Sequence, residues 1–313
     1  MVATQAGGGE GDRVSVNSST DVVDVAFGFD KNYVEHGAAV MAAVAAHGGA
    51  YRFIILHFGI EVAAQKSVES VAANATFVWI EVGDEDVPAF ADRMHFTRAT
   101  LFRLGLEKLA PADCRRLLYL DADITVLHDI RELHAMDLNG NPVGAAIDAF
   151  VDPKAFAERW SLPVGPQYFN AGILVIDLDR VREEKLFTKA ARFVADHHPP
   201  LNDQDALNFA CWGRWKRFGV AWNAQRHMAI PSLIAEMSAD KHLGNRQPRI
   251  IHFTGPEKPW LPNIYHPWAW LYWQSLKRTP FFDEVAARYQ VSAKERARML
   301  IRFVRRWRWL SPA

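Results

Sequence analysis

The sequence predicts an α/β fold: a largely parallel sheet with helices on both faces and a helical appendage at its C-terminal end. Three observations lead there. Short β-branched runs alternate with Ala-rich segments of helical length from Val22 onward, the pattern of strands joined by crossover helices. The chain has 313 residues, 50% of them hydrophobic and 23% charged, which is enough apolar material for one main domain with a shared core and too much for disorder. From about Tyr265 the composition shifts to Trp, Tyr and Arg, and that shift marks off the appendage.

The elements follow in chain order. Residues 1–20 are rich in Gly, Ser and Asn and predict a flexible tail; residues 21–264 form the main domain and 265–313 the C-terminal region. VVDVAF, YRFIILHF, TFVWIEV and RRLLYL are the first four strands, with helices over VEHGAAVMAAVAAH and HFTRATLFRLGLEKLA. VGAAID (143–148), AGILVIDL (171–178) and PRIIHF (248–253) are further strands, and DQDALNFACW (203–212) is a helix with Asn202 as its N-cap. The dense aromatics of YHPWAWLYW (265–273) predict a packed helical cap. KERARMLIRFVRRWRWL (294–310) holds seven basic residues against the single acid Glu295. At helical spacing it sets Leu300, Phe303, Val304, Trp307 and Leu310 on one face and Arg298, Arg302 and Arg305 on the other, which suits an anionic membrane surface or a helix docked on the domain with a solvated basic face.

Bulk charge narrows the function. The 36 basic and 36 acidic residues cancel, so no overall field attracts nucleic acid and none is expected as a partner. Cys114 and Cys211 are too few for a disulfide framework and predict buried thiols in a reducing compartment. The N-terminus lacks a secretory apolar core, and no stretch approaches the roughly 20 apolar residues of a membrane span. A cytoplasmic location is the expectation.

The chemistry starts in RRLLYLDADITVL (115–127). Residues i and i+2 of an extended chain point to one side, so Asp121 and Asp123 are expected to converge just past a strand's C-terminal end, where open α/β sheets bind ligands. Two carboxylates meeting there repel unless a divalent cation holds both ionised. A bare Asp-x-Asp is equally an acidic turn. YLDADIT also satisfies the hydrophobic-run, Asp-x-Asp-x-Thr pattern of haloacid-dehalogenase-like phosphatases, but that family places it near the N-terminus with an acidic pair downstream. Here it lies in mid-chain, and GDED (83–86) lies upstream.

HFTGPEKPW (252–260) supplies companions. His252 follows an apolar strand, and an N ligand beside two O ligands suits Mn²⁺ better than Mg²⁺. Gly255 permits close backbone approach to a ligand, and Lys258, followed by Pro259 and Trp260, offers a charge for a phosphate oxygen. Together with FGFDKNY (27–33), QYFNAGILVIDL (167–178) and NDQDALN (202–208), these strings resemble glycosyltransferase family 8, particularly its bacterial lipopolysaccharide galactosyl- and glucosyltransferases. The resemblance runs from about Val22 to Trp260 in family order.

That resemblance implies a GT-A-type nucleotide-sugar-binding fold with a mixed, mostly parallel sheet. It also implies a UDP-hexose donor, Mn²⁺ with Mg²⁺ as the alternative, and transfer with retained anomeric configuration. Asp121, Asp123 and His252 would be the metal ligands, with Ala122 in the same donor-binding turn. Gly255 and Lys258 would bind the diphosphate, and Asp30 and Asn32 the base and ribose. Arg103 would lie near the donor phosphates, although Leu101 and Phe102 stand where the family often has an aromatic pair. Asp203 and Gln204 would lie beneath the donor sugar, and the weak basicity of an amide oxygen favours same-face attack over a covalent intermediate. Asn170 and Asp148 would line the sugar and acceptor sites. The implied acceptor is lipopolysaccharide or another surface glycan, met at the inner face of the cytoplasmic membrane. Two rival readings are the phosphatase and a nucleotide-sugar-binding protein without turnover.

Overall fold

The computed structural model describes residues 22–88, 98–229, 247–262 and 264–310, with side chains up to 305 in the last helix. The tail expected over residues 1–20 lies outside them. The strands are β1 (Val23–Asp30), β2 (Tyr51–Phe58), β3 (Ala75–Glu81), β4 (Arg116–Leu120), β5 (Ile124–Val126), β6 (Val143–Ile147), β7 (Phe169–Asp177), β8 (Trp215–Arg217), β9 (Ala224–Gln225) and β10 (Ile250–His252). Seven of them make one sheet in the order β3-β2-β1-β4-β7-β6-β8. β1 to β4 run parallel, β8 runs parallel to β6, and β7 is antiparallel to both its neighbours.

Helices Val34–Ala45 and Val62–Glu69 carry the chain outward from β1 through β2 to β3, and β4 then returns to the other side of β1. The order therefore reverses between β1 and β4, and ligands of open α/β sheets bind at such a switch point, beyond the strands' C-terminal ends. Strand alternation splits the core in two. Val25, Phe27 and Phe29 pack with Val40, Phe53 and Leu118 on one face, while Ala26, Ile54, Leu117 and Tyr119 pack with Leu174 and Phe187 on the other. Both expected cysteines are buried in or beside this second layer.

Three expectations are corrected. The strand predicted over 248–253 is a three-residue strand outside the main sheet, placed between β5 and β9 in a second, three-stranded sheet. The segment around Arg103 is a tight 3-10 helix, Arg98–Gly105, followed by the short α-helix Leu106–Leu109. Its residues 101–105 are all buried, so that half of the segment has no solvent face. Asn202 does not cap the helix Asn202–Ala210; Leu201 holds the cap position and Asn202 takes a left-handed φ of 43°.

The aromatic cap forms as expected. Trp268, Tyr272 and Trp273 of the segment leading into helix Ala269–Leu276 are buried with Trp260, Phe253 and Val285 in a third cluster. The last helix, Ala293–Leu310, packs Met299 and Phe303 against it and lays Arg296 over the rings of Trp273 and Phe282. The apolar face predicted for this helix is therefore split: Phe303 turns inward, whereas Val304 is 47% exposed, as is Ile301 outside that face at 51%. Trp307 and Leu310 have side chains outside the described residues.

Candidate active site

β4 is a buried apolar strand that ends at Leu120 and delivers Asp121, whose N–H donates to the Gly172 carbonyl at 2.9 Å. The chain then turns at Ala122 and Asp123 before β5. The acidic pair thus sits on a turn and not on an extended run, and it converges all the same. β5 pairs antiparallel with β10 with Ile124 opposite His252, and the Phe253 N–H donates to the Asp123 carbonyl at 2.9 Å. This register brings His252 Nε2 to 3.6 Å from Asp121 Oδ2 and 3.3 Å from Asp123 Oδ1. One ligand atom from each of the three lies within 4.8 Å of the others.

Room for this arrangement comes from Gly172. Between the pairs Ala145–Leu174 and Ala146–Asn170 the β6–β7 register jumps, and residues 171–173 bulge from the ladder. A Cβ on Gly172 would fall 2.1 Å from His252 Cε1 and 2.7 Å from Asp121 Oδ2. Two carboxylates and an imidazole around such a cleared space fit a divalent cation.

The surrounding charges are unequal. Burial pushes the Asp121 carboxyl up, opposed by Arg103, whose Nη2 donates to Asp121 Oδ1 at 2.8 Å. At Asp123 burial also works upward, but Lys258 and His252 outweigh it and hold the carboxyl well below the usual range. Lys258 Nζ donates to Asp123 Oδ2 at 2.5 Å and to the Phe253 carbonyl at 2.7 Å. Its loop is fixed by Gly255, at a φ of 76°, and by Trp260, whose ring stacks 3.7 Å from that of His36.

Arg103 is buried, not solvent-facing. Its Nε pairs with Asp203 Oδ2 at 2.9 Å, its Nη1 donates to the Ala171 carbonyl at 2.5 Å, and its guanidinium lies 4.5 Å over the Tyr119 ring. The Tyr119 hydroxyl donates to Asp121 Oδ1. Burial pushes the Asp203 carboxyl up to about 6, against the pull of Arg103.

A second bonded group adjoins the first. Asn170 Nδ2 donates to Asp148 Oδ2 and to Gln204 Oε1, both at 3.1 Å, and Gln204 Oε1 also accepts the Ala171 N–H. Gln204 Nε2 lies 3.4 Å from Asp148 Oδ2. Asn170 Oδ1 accepts from Asn223 Nδ2, and Asn223 Oδ1 meets His252 Nδ1. At the end of β1, Asp30 Oδ1 accepts the Asn32 N–H at 2.8 Å in an Asx turn. Burial, with Asp123, Tyr289, Asp30 and Asp121 adding, pushes the phenol of Tyr33 up.

The structure therefore joins Asp121, Asp123, His252, Lys258, Arg103 and Asp203 directly, and links Asp148, Asn170 and Gln204 to them. Ala122 is buried within the turn, and Asp30 and Asn32 form a separate turn at the neighbouring strand end. Sequence reasoning missed Gly172, Tyr33, Tyr119 and Asn223. A glycine inside a strand pattern signals close approach, so Gly172 was findable; Asn223, in the short turn Val220–Asn223, carries no such signal.

Two solved structures share this architecture. The chain of "galacosyltransferase LgtC in complex with donor and acceptor sugar analogs" superposes with a TM-score of 0.69 at 26% identity, over 88% of this chain and 100% of that one. The "WbbM bifunctional glycosytransferase" gives 0.74 at 22% identity, over 88% of this chain and 53% of the other. The class is thereby set: this is a glycosyltransferase fold of the GT-A type. The sequence profile described as Glycosyl transferase family 8 matches residues 24–263, and the chain belongs to that family. Among curated relatives it is 27% identical over 265 residues to General stress protein A of Bacillus subtilis, covering 80% of this chain and 91% of that protein. It is 25% identical over 315 residues to the Lipopolysaccharide 1,2-glucosyltransferase of Escherichia coli, covering 95% and 88%. It is 26% identical over 268 residues to the Lipopolysaccharide 1,3-galactosyltransferase of Salmonella typhimurium, covering 81% and 76%.

Proposed function

We propose that the protein transfers glucose or galactose from a UDP-sugar to a saccharide acceptor, lipopolysaccharide or another surface glycan, with retention of configuration. The observation that carries this reading is the convergence of Asp121, Asp123 and His252 at the sheet's switch point. Asp121, Asp123 and His252 would hold a divalent cation there, Mn²⁺ by donor set, which when bound would supply positive charge to a leaving diphosphate. Lys258, now on Asp123, is placed to share its charge with the same diphosphate, and the open backbone at Gly255 lets the chain approach it. Asp30 and Asn32 read the base and ribose. Ala122 carries the backbone of the donor-binding turn, and Arg103 holds Asp121 and Asp203 in place beside the phosphates.

Two features favour same-face attack within an ion pair. The Asp203 carboxylate is engaged by Arg103, and the Gln204 amide oxygen already accepts two hydrogen bonds, so neither is a ready nucleophile toward the anomeric carbon. Gln204, with Asn170 and Asp148, is assigned to orienting the sugar. The two relatives that act on lipopolysaccharide suggest the acceptor class. Among the described residues no helix is long and apolar enough to cross a membrane. We assign membrane contact instead to the outward face of Ala293–Leu310, where exposed Ile301 and Val304 stand among Lys294, Arg298 and Arg305; the enzyme would then work from the cytoplasmic side.

A thermal-shift measurement tests the reading. UDP is expected to raise the melting temperature only with Mn²⁺ present, by the mass action of ligand on the folded state, and Asp123→Ala to lose that gain. UDP-glucose or UDP-galactose should then release UDP in the presence of a glycan acceptor. Equal stabilisation by UDP with and without metal would overturn it, and binding without turnover would mark a non-catalytic protein.

A further inference from the structure

We infer that Asn223 sets the tautomer of His252, as the last link of a hydrogen-bond chain that starts at Asp148. The inference rests on the reading of Asp121, Asp123 and His252 as metal ligands. All four members of the chain are nearly solvent-free: Asp148 is 7% exposed, Asn170 6%, Asn223 0% and His252 4%. Buried polar groups of this kind are satisfied by protein partners, and each side chain's donor and acceptor inventory then fixes which atom faces which.

The direction is set at the first link. A carboxylate only accepts, so Asn170 must turn its NH₂ toward Asp148 Oδ2, at 3.1 Å. Its Oδ1 consequently faces the other way, and there it accepts the Gly172 N–H at 3.1 Å, a backbone donor that cannot reverse. Two independent constraints thus agree on the Asn170 amide. Asn223 must then present its own NH₂ to Asn170 Oδ1, at 2.9 Å, which leaves its Oδ1 facing His252 Nδ1 at 3.0 Å. An amide oxygen only accepts. Nδ1 of the neutral imidazole therefore carries the hydrogen, and the free lone pair lies on Nε2, the nitrogen that faces Asp121 and Asp123.

Ligating histidines commonly have their second nitrogen held in this way, and loss of the holder typically weakens metal affinity by about 10- to 100-fold. Here the holder is an amide whose own orientation is dictated by a carboxylate two links away. Asn223 is accordingly a positioning residue: it acts through His252, and it prevents the other tautomer from pointing an N–H into the site.

The test is a spectrum and a titration. Two-bond ¹H–¹⁵N correlation of metal-free protein labelled with ¹⁵N-histidine, above the histidine titration range, should show His252 as the Nδ1–H tautomer; the signal is assigned by its loss in His252→Gln. In Asn223→Leu that signal should shift toward the Nε2–H form, and the Kd for Mn²⁺ alone, read by electron paramagnetic resonance, should rise about 10- to 100-fold. Asn223→Asp keeps an acceptor for Nδ1–H and, in its protonated form, a donor for Asn170 Oδ1, and should restore the Nδ1–H tautomer. An Nε2–H tautomer in the wild type, or an unchanged Kd in a folded Asn223→Leu, overturns the inference. If Asn223→Leu does not fold, the wild-type spectrum still decides. A wild type that binds no Mn²⁺ would sink the metal reading, while the spectrum would still report separately on Asn223.

Discussion

At Gly172 one missing carbon makes the site. The space its Cβ would take is held by the His252 ring and an Asp121 oxygen, so Gly172→Ala should expel the imidazole. Overpacking of this kind costs roughly 1–3 kcal/mol; urea denaturation should show that loss, and Mn²⁺ titration should show no binding at the site. An alanine variant that still binds Mn²⁺ would mean the ring has another resting place. Legibility at this scale tracked how local each residue's duty is. Asp121, Asp123 and His252 were readable because strand ends carry ligands. The burial of Arg103 was not, since an Arg in a helical segment is about as readily solvent-facing, and only the packing around Arg98–Gly105 encloses it. Asn223 has a duty only once three distant segments meet.

Among elements, long strands were legible and short ones were not. β2 was read to the residue, whereas β5, β8 and β9, of two or three residues each, are shorter than any periodicity and exist because the backbone beside them is already paired. β10 read as a strand, but nothing in an apolar run says which sheet it joins. The last helix divides its duties: Met299 and Phe303 tie it to the aromatic cluster while Ile301, Val304, Arg298 and Arg305 face outward. Truncating the helix would uncover that cluster, so charge reversal is the cleaner probe. Arg298→Glu with Arg305→Glu should weaken co-sedimentation with phosphatidylglycerol vesicles, since each basic residue near an anionic surface contributes about 1 kcal/mol. Stabilisation by UDP and Mn²⁺ should be spared. Undiminished vesicle binding would assign the outward face some other role.

For the whole molecule, parallel β1–β3 followed from the alternation of strands and helices, while the antiparallel β7 did not, because crossover lengths do not reveal a strand's direction once a sheet is mixed. The third cluster locks the C-terminal cap onto helix Val34–Ala45, with His36 Nδ1 and the Tyr272 hydroxyl 2.7 Å apart. Burial, with Arg288 adding, lowers the His36 pKa from 6.5 to about 3, and burial likewise lowers that of His266 to about 3. The unfolded chain binds these protons and the folded one does not, so their contribution to stability is complete above pH 6.5 and is lost as pH falls toward 3. Each group steepens acid unfolding by about 1.4 kcal/mol per pH unit in that window. Urea midpoints taken from neutral pH down to about pH 4 should fall less steeply in His36→Phe; parallel slopes for the two proteins would refute the assignment.

The pairing of β5 with β10 also orders events in time. A nascent chain exposes both carboxylates long before the ribosome has added their imidazole neighbour, and a slip of one residue between these strands would turn that ring away. The three-residue cluster is consequently incomplete until the tenth strand slots in beside the fifth, and whatever it holds waits on assembly.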